Sequence, residues 1–148
     1  MKAIIATVAL GAALVLGASA PAPAADAMKG GGAMMVRCPG GYVLNAVGGS
    51  GESGCATPRG GNGVIFLGLK VKGEPAGAAQ PAHVHRGKCG SNGPVVIPLT
   101  NVVNGTSATT IPMAKWKTVN HGGFYINIHE SADNIPHVVS CANITAMM

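Results

Sequence analysis

The chain is poor in aromatic side chains and poor in charge: 3% of its 148 residues are Phe, Trp or Tyr and 10% are Asp, Glu, Lys or Arg. Lys and Arg outnumber Asp and Glu by 10 to 5. The basic residues are scattered, with no basic run, no aromatic residues interleaved with one and no nucleic-acid motif, which excludes a nucleic-acid-binding role. The small positive excess favours no more than attraction of small anions. No Cys-x-x-Cys pair occurs, so neither a zinc ribbon nor a thioredoxin-type redox centre is expected. No phosphate-binding loop and no Ser-His-Asp arrangement is discernible. No segment sustains a helical hydrophobic period, which argues against a helical fold. Beyond the N-terminal segment no apolar run approaches the roughly 20 residues that cross a bilayer.

What is present begins with a targeting pattern. Met1-Lys2 is a short positive start, Ala3 to Leu16 is apolar and small apart from Thr7, and Ala18-Ser19-Ala20 and Pro21-Ala22-Pro23-Ala24-Ala25 follow. This predicts a secretory signal peptide over residues 1–25 and a periplasmic or secreted protein with no membrane span. Cleavage is expected after Ala24 or Ala25, because Pro21 is a poor first residue. About 123 residues then remain, enough for one domain that buries roughly two-thirds of its unfolded surface. Residues 26–40 are rich in Gly and Met and read as a flexible lead-in. Met28, Met34 and Met35 within it are candidate soft ligands for Cu(I). Residues 41–148 are the predicted domain. Four cysteines in an exported chain, Cys38, Cys55, Cys89 and Cys141, predict two disulfides, with three connectivities open.

The domain reads as short strands punctuated by turn residues. Tyr42–Asn45, Ser53–Thr57, Val64–Val71, Ser107–Pro112, Phe124–His129 and Val138–Ile144 have strand character. Gly48–Gly51, Pro58–Gly63 and Gly73–Gly77 read as turns, and Asn104-Gly105 as a hairpin turn. Pro94–Thr100 is apolar but holds two prolines. Trp116 is expected as a core anchor near a loop, and Trp116–Val119 as a single helical turn at most. The pattern indicates an antiparallel β-sandwich or barrel.

The stretch Pro81-Ala82-His83-Val84-His85-Arg86-Gly87-Lys88-Cys89 carries the most chemistry. Side chains at i and i+2 of a strand share a face. His83 and His85 therefore stand side by side, about 7 Å apart at the backbone, from where two imidazoles can converge on one metal ion. Alternation over the later strand puts Phe124, Ile126 and Ile128 on one face and Tyr125, Asn127 and His129 on the other. His129 thus belongs to an outward, partly polar face. His121, in a Gly-rich turn, and His137, in the loop before the last strand, are candidates for an additional ligand. Glu130 alternates away from His129, which gives it a structural role or a hydrogen bond within the Ser131-Ala132-Asp133 turn.

In order along the chain, these residues resemble the copper/zinc superoxide dismutases. A Gly-rich turn, a short strand and a long apolar strand ending in Lys70-Val71-Lys72-Gly73 lead through a loop to His83-Val84-His85 and Cys89. Ile128-His129-Glu130-Ser131-Ala132-Asp133-Asn134-Ile135 resembles the family's His-Glu-Lys-x-Asp-Asp-Leu segment, and Ser140-Cys141-Ala142-Asn143-Ile144 its Ala-Cys-Gly-x-Ile ending. The likeness is nearest to exported bacterial proteins of dismutase-like or CHRD type. It implies an all-β Greek-key antiparallel sandwich or barrel of the dismutase type. It implies His83 and His85 as paired copper ligands, His129 as a third, and Cys89–Cys141 as the intrasubunit disulfide. Cys38 and Cys55 are then left for a bridge outside the family pattern. A homodimer stays open.

The departures are as informative. Val95 stands where the family has the histidine that bridges copper to zinc, six residues after Cys89. No His, Asp, Glu or Cys occurs from Val95 to Asn120, and Val138 stands where the family has its anion-guiding arginine. The resemblance therefore implies one copper ion and no zinc at the family's zinc site. The expected function is an exported copper-binding protein without efficient dismutase activity. The alternatives are a divergent copper-only dismutase and a metal-free structural or interaction sandwich.

Overall fold

Aliphatic residues alternating with polar or small ones build the strands, and Asn-Gly pairs close the tightest hairpins between them. The computed structural model describes residues 36–146; the predicted signal peptide and Met28, Met34 and Met35 lie outside these. The strands are β1 (Tyr42–Ala46), β2 (Ser53–Gly61), β3 (Val64–Lys72), β4 (Ala79–Arg86), β5 (Val95–Val103), β6 (Thr106–Pro112), β7 (Phe124–His129) and β8 (Val138–Ile144). A helix, α1 (Met113–Val119), joins β6 to β7, and a 3-10 turn over Ala132–Asn134 lies between β7 and β8. All strand pairs are antiparallel, and they close a barrel in the order β1-β2-β3-β6-β5-β4-β7-β8. Two connections between strands that are not neighbours, β3 to β4 and β6 to β7, make this order. Their consequence for function is that β4 and β7, distant in sequence, lie side by side.

The core follows from strand alternation. Leu67, Leu69 and Val71 from β3, Ala82 and Val84 from β4, and Ile126 and Ile128 from β7 all point inward and are buried. Two hairpins turn on Asn62-Gly63 and Asn104-Gly105, each with both residues at positive φ (49° and 76°, 49° and 71°). That backbone matches the twist of paired strands.

Three sequence expectations are corrected here. Residues 58–61, read as a turn, continue β2, and only Asn62-Gly63 turns. β1 begins at Tyr42, opposite Ala56, so past Ala56 β2 has a free edge, where a proline such as Pro58 is tolerated. The segment after β6 is a seven-residue helix rather than a single turn. Trp116 and Val119, at i and i+3, share one face and are both buried, and packing of this kind holds helices too short to stand alone. Residues 95–103, which the prolines at 94 and 98 leave without an assignment, form one strand, β5, which runs through Pro98. Its seam with β6 has one registered pair, Val103 with Thr106. Side chains stitch the rest: Thr109 Oγ1 accepts from the Thr100 amide (2.9 Å) and the Ser107 hydroxyl donates to the Thr100 carbonyl (2.6 Å).

Cys38 is bridged to Cys55 at the start of β2, and Cys89 to Cys141 on β8. No helix among the described residues is long and apolar enough to cross a membrane.

Candidate metal centre

The core-facing side of β4 is fixed by Ala82 and Val84, both fully buried. Strand alternation then obliges His83 and His85 to stand on the outer face. Across the β4–β7 ladder His83 lies opposite Asn127 and His85 opposite Tyr125. His129 ends β7 on that same face. A bulge between Ile128 and His129 shifts the pairing so that His129 meets Val138 of β8; bulges of this kind re-aim a side chain.

Apart from the half-buried His83, this outer face is closed to water. His85 is 8% exposed, His129 4% and Asn127 5%, and Tyr125 is fully buried. The alternation that assigned these residues to the outward face was right about the face. It gave no sign of the two loops that cover it. The first loop, residues 87–94, is tied down by the Cys89–Cys141 disulfide and by the Cys89 amide, which donates to Asn143 Oδ1 (2.8 Å). Gly93 is its fixed point. Its amide donates to the Tyr125 hydroxyl (2.9 Å) and its carbonyl accepts from His85 Nδ1 (2.7 Å). A Cβ on Gly93 would lie 1.7 Å from the Arg86 carbonyl oxygen, so no other residue fits without displacing the loop. The second loop, residues 130–137, folds back on itself. The Asn134 amide donates to Ser131 Oγ, the Asn134 side chain to Glu130 Oε2, and the Glu130 amide to the His137 carbonyl. Glu130 thus serves the turn. The loop carries the Ile135 carbonyl onto His129 Nδ1 at 2.5 Å.

The three rings meet. Ring centroids are 5.7 Å apart for His83–His85, 5.1 Å for His83–His129 and 5.8 Å for His85–His129. One nitrogen from each lies within 4.8 Å of the others. Three nitrogens bound to one ion at about 2.0–2.1 Å stand about 3.3–3.6 Å apart. Closure on a metal therefore takes an inward shift of the rings of about 1 Å at most.

The hydrogen bonds decide which nitrogens are free. The carbonyls of Gly93 and Ile135 hold the protons of His85 and His129 on Nδ1, which turns each Nε2 lone pair loose; fixing the tautomer from the far nitrogen is the common device at metal-binding histidines. Accordingly His85 Nε2, His129 Nε2 and His83 Nδ1 are buried without any partner. A buried polar atom left unpaired costs about 1–3 kcal/mol. Three such atoms on one spot are a site asking for a cation.

His83 is held below its ordinary pKa by burial, with the nearby His129 and His85 charges adding to the effect. His129 is likewise lowered by burial, against which its bond to the Ile135 carbonyl acts, and His85 lowers it further. Both are neutral, and ready to ligate, at neutral pH. The sign for stability follows. Below about pH 6.5 the unfolded chain takes up protons that the folded chain refuses, so acid favours unfolding. The melting temperature of the metal-free protein is expected to hold from pH 8 to about 6.5 and to fall on further acidification. A melting temperature flat down to pH 5 would contradict it.

The remaining histidines are elsewhere. His121 is exposed in the turn before β7, and His137 is exposed and pairs with Glu130 at 3.4 Å. Neither joins the converging group. Val95 lies opposite His85 and Val138 opposite His129, so both sequence departures flank the cluster. Sequence reasoning passed over Tyr125, which stacks on His85 at 5.2 Å and 20°, and Asn127, whose Oδ1 is buried without a partner. Their alternation with Ile126 and Ile128 was the available signal.

The model of the CHRD domain family matches residues 49–134, more than half of the chain. The chain belongs to the CHRD domain family. The matched span of this CHRD protein contains His83, His85 and His129 together. No curated protein and no solved structure matches the chain.

Proposed function

We propose that this CHRD protein is an exported copper-binding protein that holds one ion on His83, His85 and His129 and lacks efficient superoxide dismutase activity. The observation that carries the reading is the set of three unpartnered, buried imidazole nitrogens on one spot. The donor set favours copper. All four cysteines are in disulfides, so no thiolate is offered, and the converging group contains no carboxylate. Imidazole suits Cu, Zn, Fe and Ni, and the Irving–Williams order puts Cu(II) first among them. Two disulfides and the N-terminal targeting pattern fit an oxidising compartment outside the cytosol.

The resemblance to the dismutases draws support from topology. The neighbours β7-β4-β5-β6 have the 4-1-2-3 order of a Greek key. In the dismutases a bridging imidazole supplies a proton and an arginine helps capture the anion. Val95 and Val138 can do neither, and this separates a copper binder from a fast enzyme.

The test is to load the purified protein with Cu(II), compete it with Zn(II), and assay superoxide dismutation with a xanthine-oxidase-coupled system. One copper per chain, resistant to zinc, with dismutation no faster than copper held by free imidazole, is the expected result. Failure to retain copper would return the domain to the metal-free reading. Fast dismutation would make it a copper-only dismutase.

A further inference from the structure

Five buried polar side-chain atoms have no hydrogen-bond partner among the described residues, and four of them lie on one face of the barrel. Three are the histidine nitrogens. The fourth is Asn127 Oδ1. Asn127 is directly opposite His83 across the β4–β7 pair, where facing Cβ atoms stand about 4.5–5.5 Å apart. It is also two residues before His129 on the same face of β7. It therefore abuts the histidine cluster from two sides. Asn127 also lines a depression of about 270 Å³ bordered by Gly48, Gly90, Asn92, His137 and Val138. Two residues that border this depression are set directly across from histidines of the cluster, Asn127 from His83 and Val138 from His129, and of the two only Asn127 carries a polar side chain.

A buried carboxamide with an idle oxygen is costly in an apolar setting. Its neighbours on the same face of β7 are bonded, the Tyr125 hydroxyl accepting from the Gly93 amide and His129 Nδ1 donating to the Ile135 carbonyl. An oxygen beside a cation site has an obvious use. Three imidazoles leave a fourth coordination position, which a water takes at open metal sites. A neutral carboxamide oxygen is a hard donor that suits Mg, Ca or Mn better than it suits copper. This favours contact with the fourth ligand over contact with the metal.

We infer that the Asn127 carboxamide oxygen accepts a hydrogen bond from the water in the fourth position of the metal bound by His83, His85 and His129, and that the neighbouring depression is the route by which small exogenous ligands displace that water. The inference rests on the proposed metal site. Asn127 is a positioning residue for the exchangeable ligand, with no role in holding the metal.

Azide, a small anion that lacks a proton to donate, is the probe. Its affinity for the Cu(II)-loaded protein is read from the azide-to-copper charge-transfer absorption. Asn127→Leu keeps the branched shape and removes the acceptor. The water is then held less well, and azide is expected to bind about five- to tenfold more tightly, the worth of one hydrogen bond. Asn127→Asp places a full negative charge there, holds the water harder and repels the anion, so azide is expected to bind at least as many fold more weakly. In the metal-free protein Asn127→Leu is expected to raise the melting temperature, since it replaces an unpaired polar group by an apolar one. A purely structural asparagine would give the opposite shift. Equal azide affinities in all three proteins, or weaker azide binding by Asn127→Leu than by the wild type, would overturn the inference while leaving the three-histidine site intact. If one of the two variants does not fold, the other against wild type decides. Absence of copper from the wild-type protein would remove the metal site and the inference with it, and the stoichiometry measured before azide is added tells the two failures apart.

Discussion

His83→Leu is expected to abolish tight copper binding while leaving the metal-free protein as stable as before, or more so. His83 is the one ring of the three for which the structure shows no hydrogen bond: its Nδ1 is buried and idle, whereas His85 and His129 are each anchored by a backbone carbonyl. Leucine keeps most of the volume and removes an unpaired polar atom, a change that is neutral or favourable in itself. The cost falls on the metal. Changes even to outer-shell partners weaken metal sites by about 10–100-fold, and loss of a direct ligand is expected to exceed that range. The readout is thermal. At a free copper concentration a hundredfold above its Kd, wild-type protein gains about 2.7 kcal/mol, a rise of roughly 10 °C for a domain of this size. The His83→Leu protein at the same copper concentration should show no rise. His129→Ala makes the contrast. It also loses copper, but it strands the Ile135 carbonyl and opens a cavity, so its metal-free form should melt below wild type. A His83→Leu protein that still takes one copper with unchanged affinity would remove His83 from the site.

Much of this was legible in the residues, and the reasons differ from part to part. Strand alternation depends on a period of two, so His83-Val84-His85 and Phe124–His129 each declared which side chains share a face. Motif order added that the two strands belong to one site. Nothing in the local pattern says that β4 and β7 are neighbours; that comes from the β6-to-β7 connection, and only the closed barrel shows it. Nor does a pattern of alternation report what covers a face. Tyr125, Asn127 and His129 read as outward and are buried because loops 87–94 and 130–137 fold over them. The idle nitrogens were out of reach for the same reason, since they are defined by the carbonyls of Gly93 and Ile135, which lie 8 residues from His85 and 6 from His129. Gly93 is a steric necessity that only the folded loop reveals. The helix Met113–Val119 was underread because its stability lies in where Trp116 and Val119 pack. Buried Gln80, bonded to buried Glu52 at 2.8 Å, carried no sequence signal at all.

Breaking the Cys89–Cys141 bridge is expected to cost as much stability as the severe truncations of the core strands and to loosen the metal centre as well. The bridge closes a sequence separation of 52. The loop-entropy relation gives about 4 kcal/mol for a loop of that size, against about 3 kcal/mol for Cys38–Cys55 with its separation of 17. Domains of this kind have only about 5–15 kcal/mol in all, so the first figure is a large share, worth roughly 15 °C or more in melting temperature. The two bridges also differ in what they hold. Cys38–Cys55 pins the approach to β1 against β2, away from the histidines. Cys89–Cys141 pins the loop whose Gly93 carbonyl fixes His85, and it does so on the strand next to β7. Cys89→Ala/Cys141→Ala should therefore lower both melting temperature and copper affinity. Cys38→Ala/Cys55→Ala should lower melting temperature by less and leave copper affinity near wild type. Measured at a temperature where both variants are folded, equal copper affinities in the two would mean that loop 87–94 holds His85 without its disulfide, by the Tyr125 and Asn143 hydrogen bonds alone.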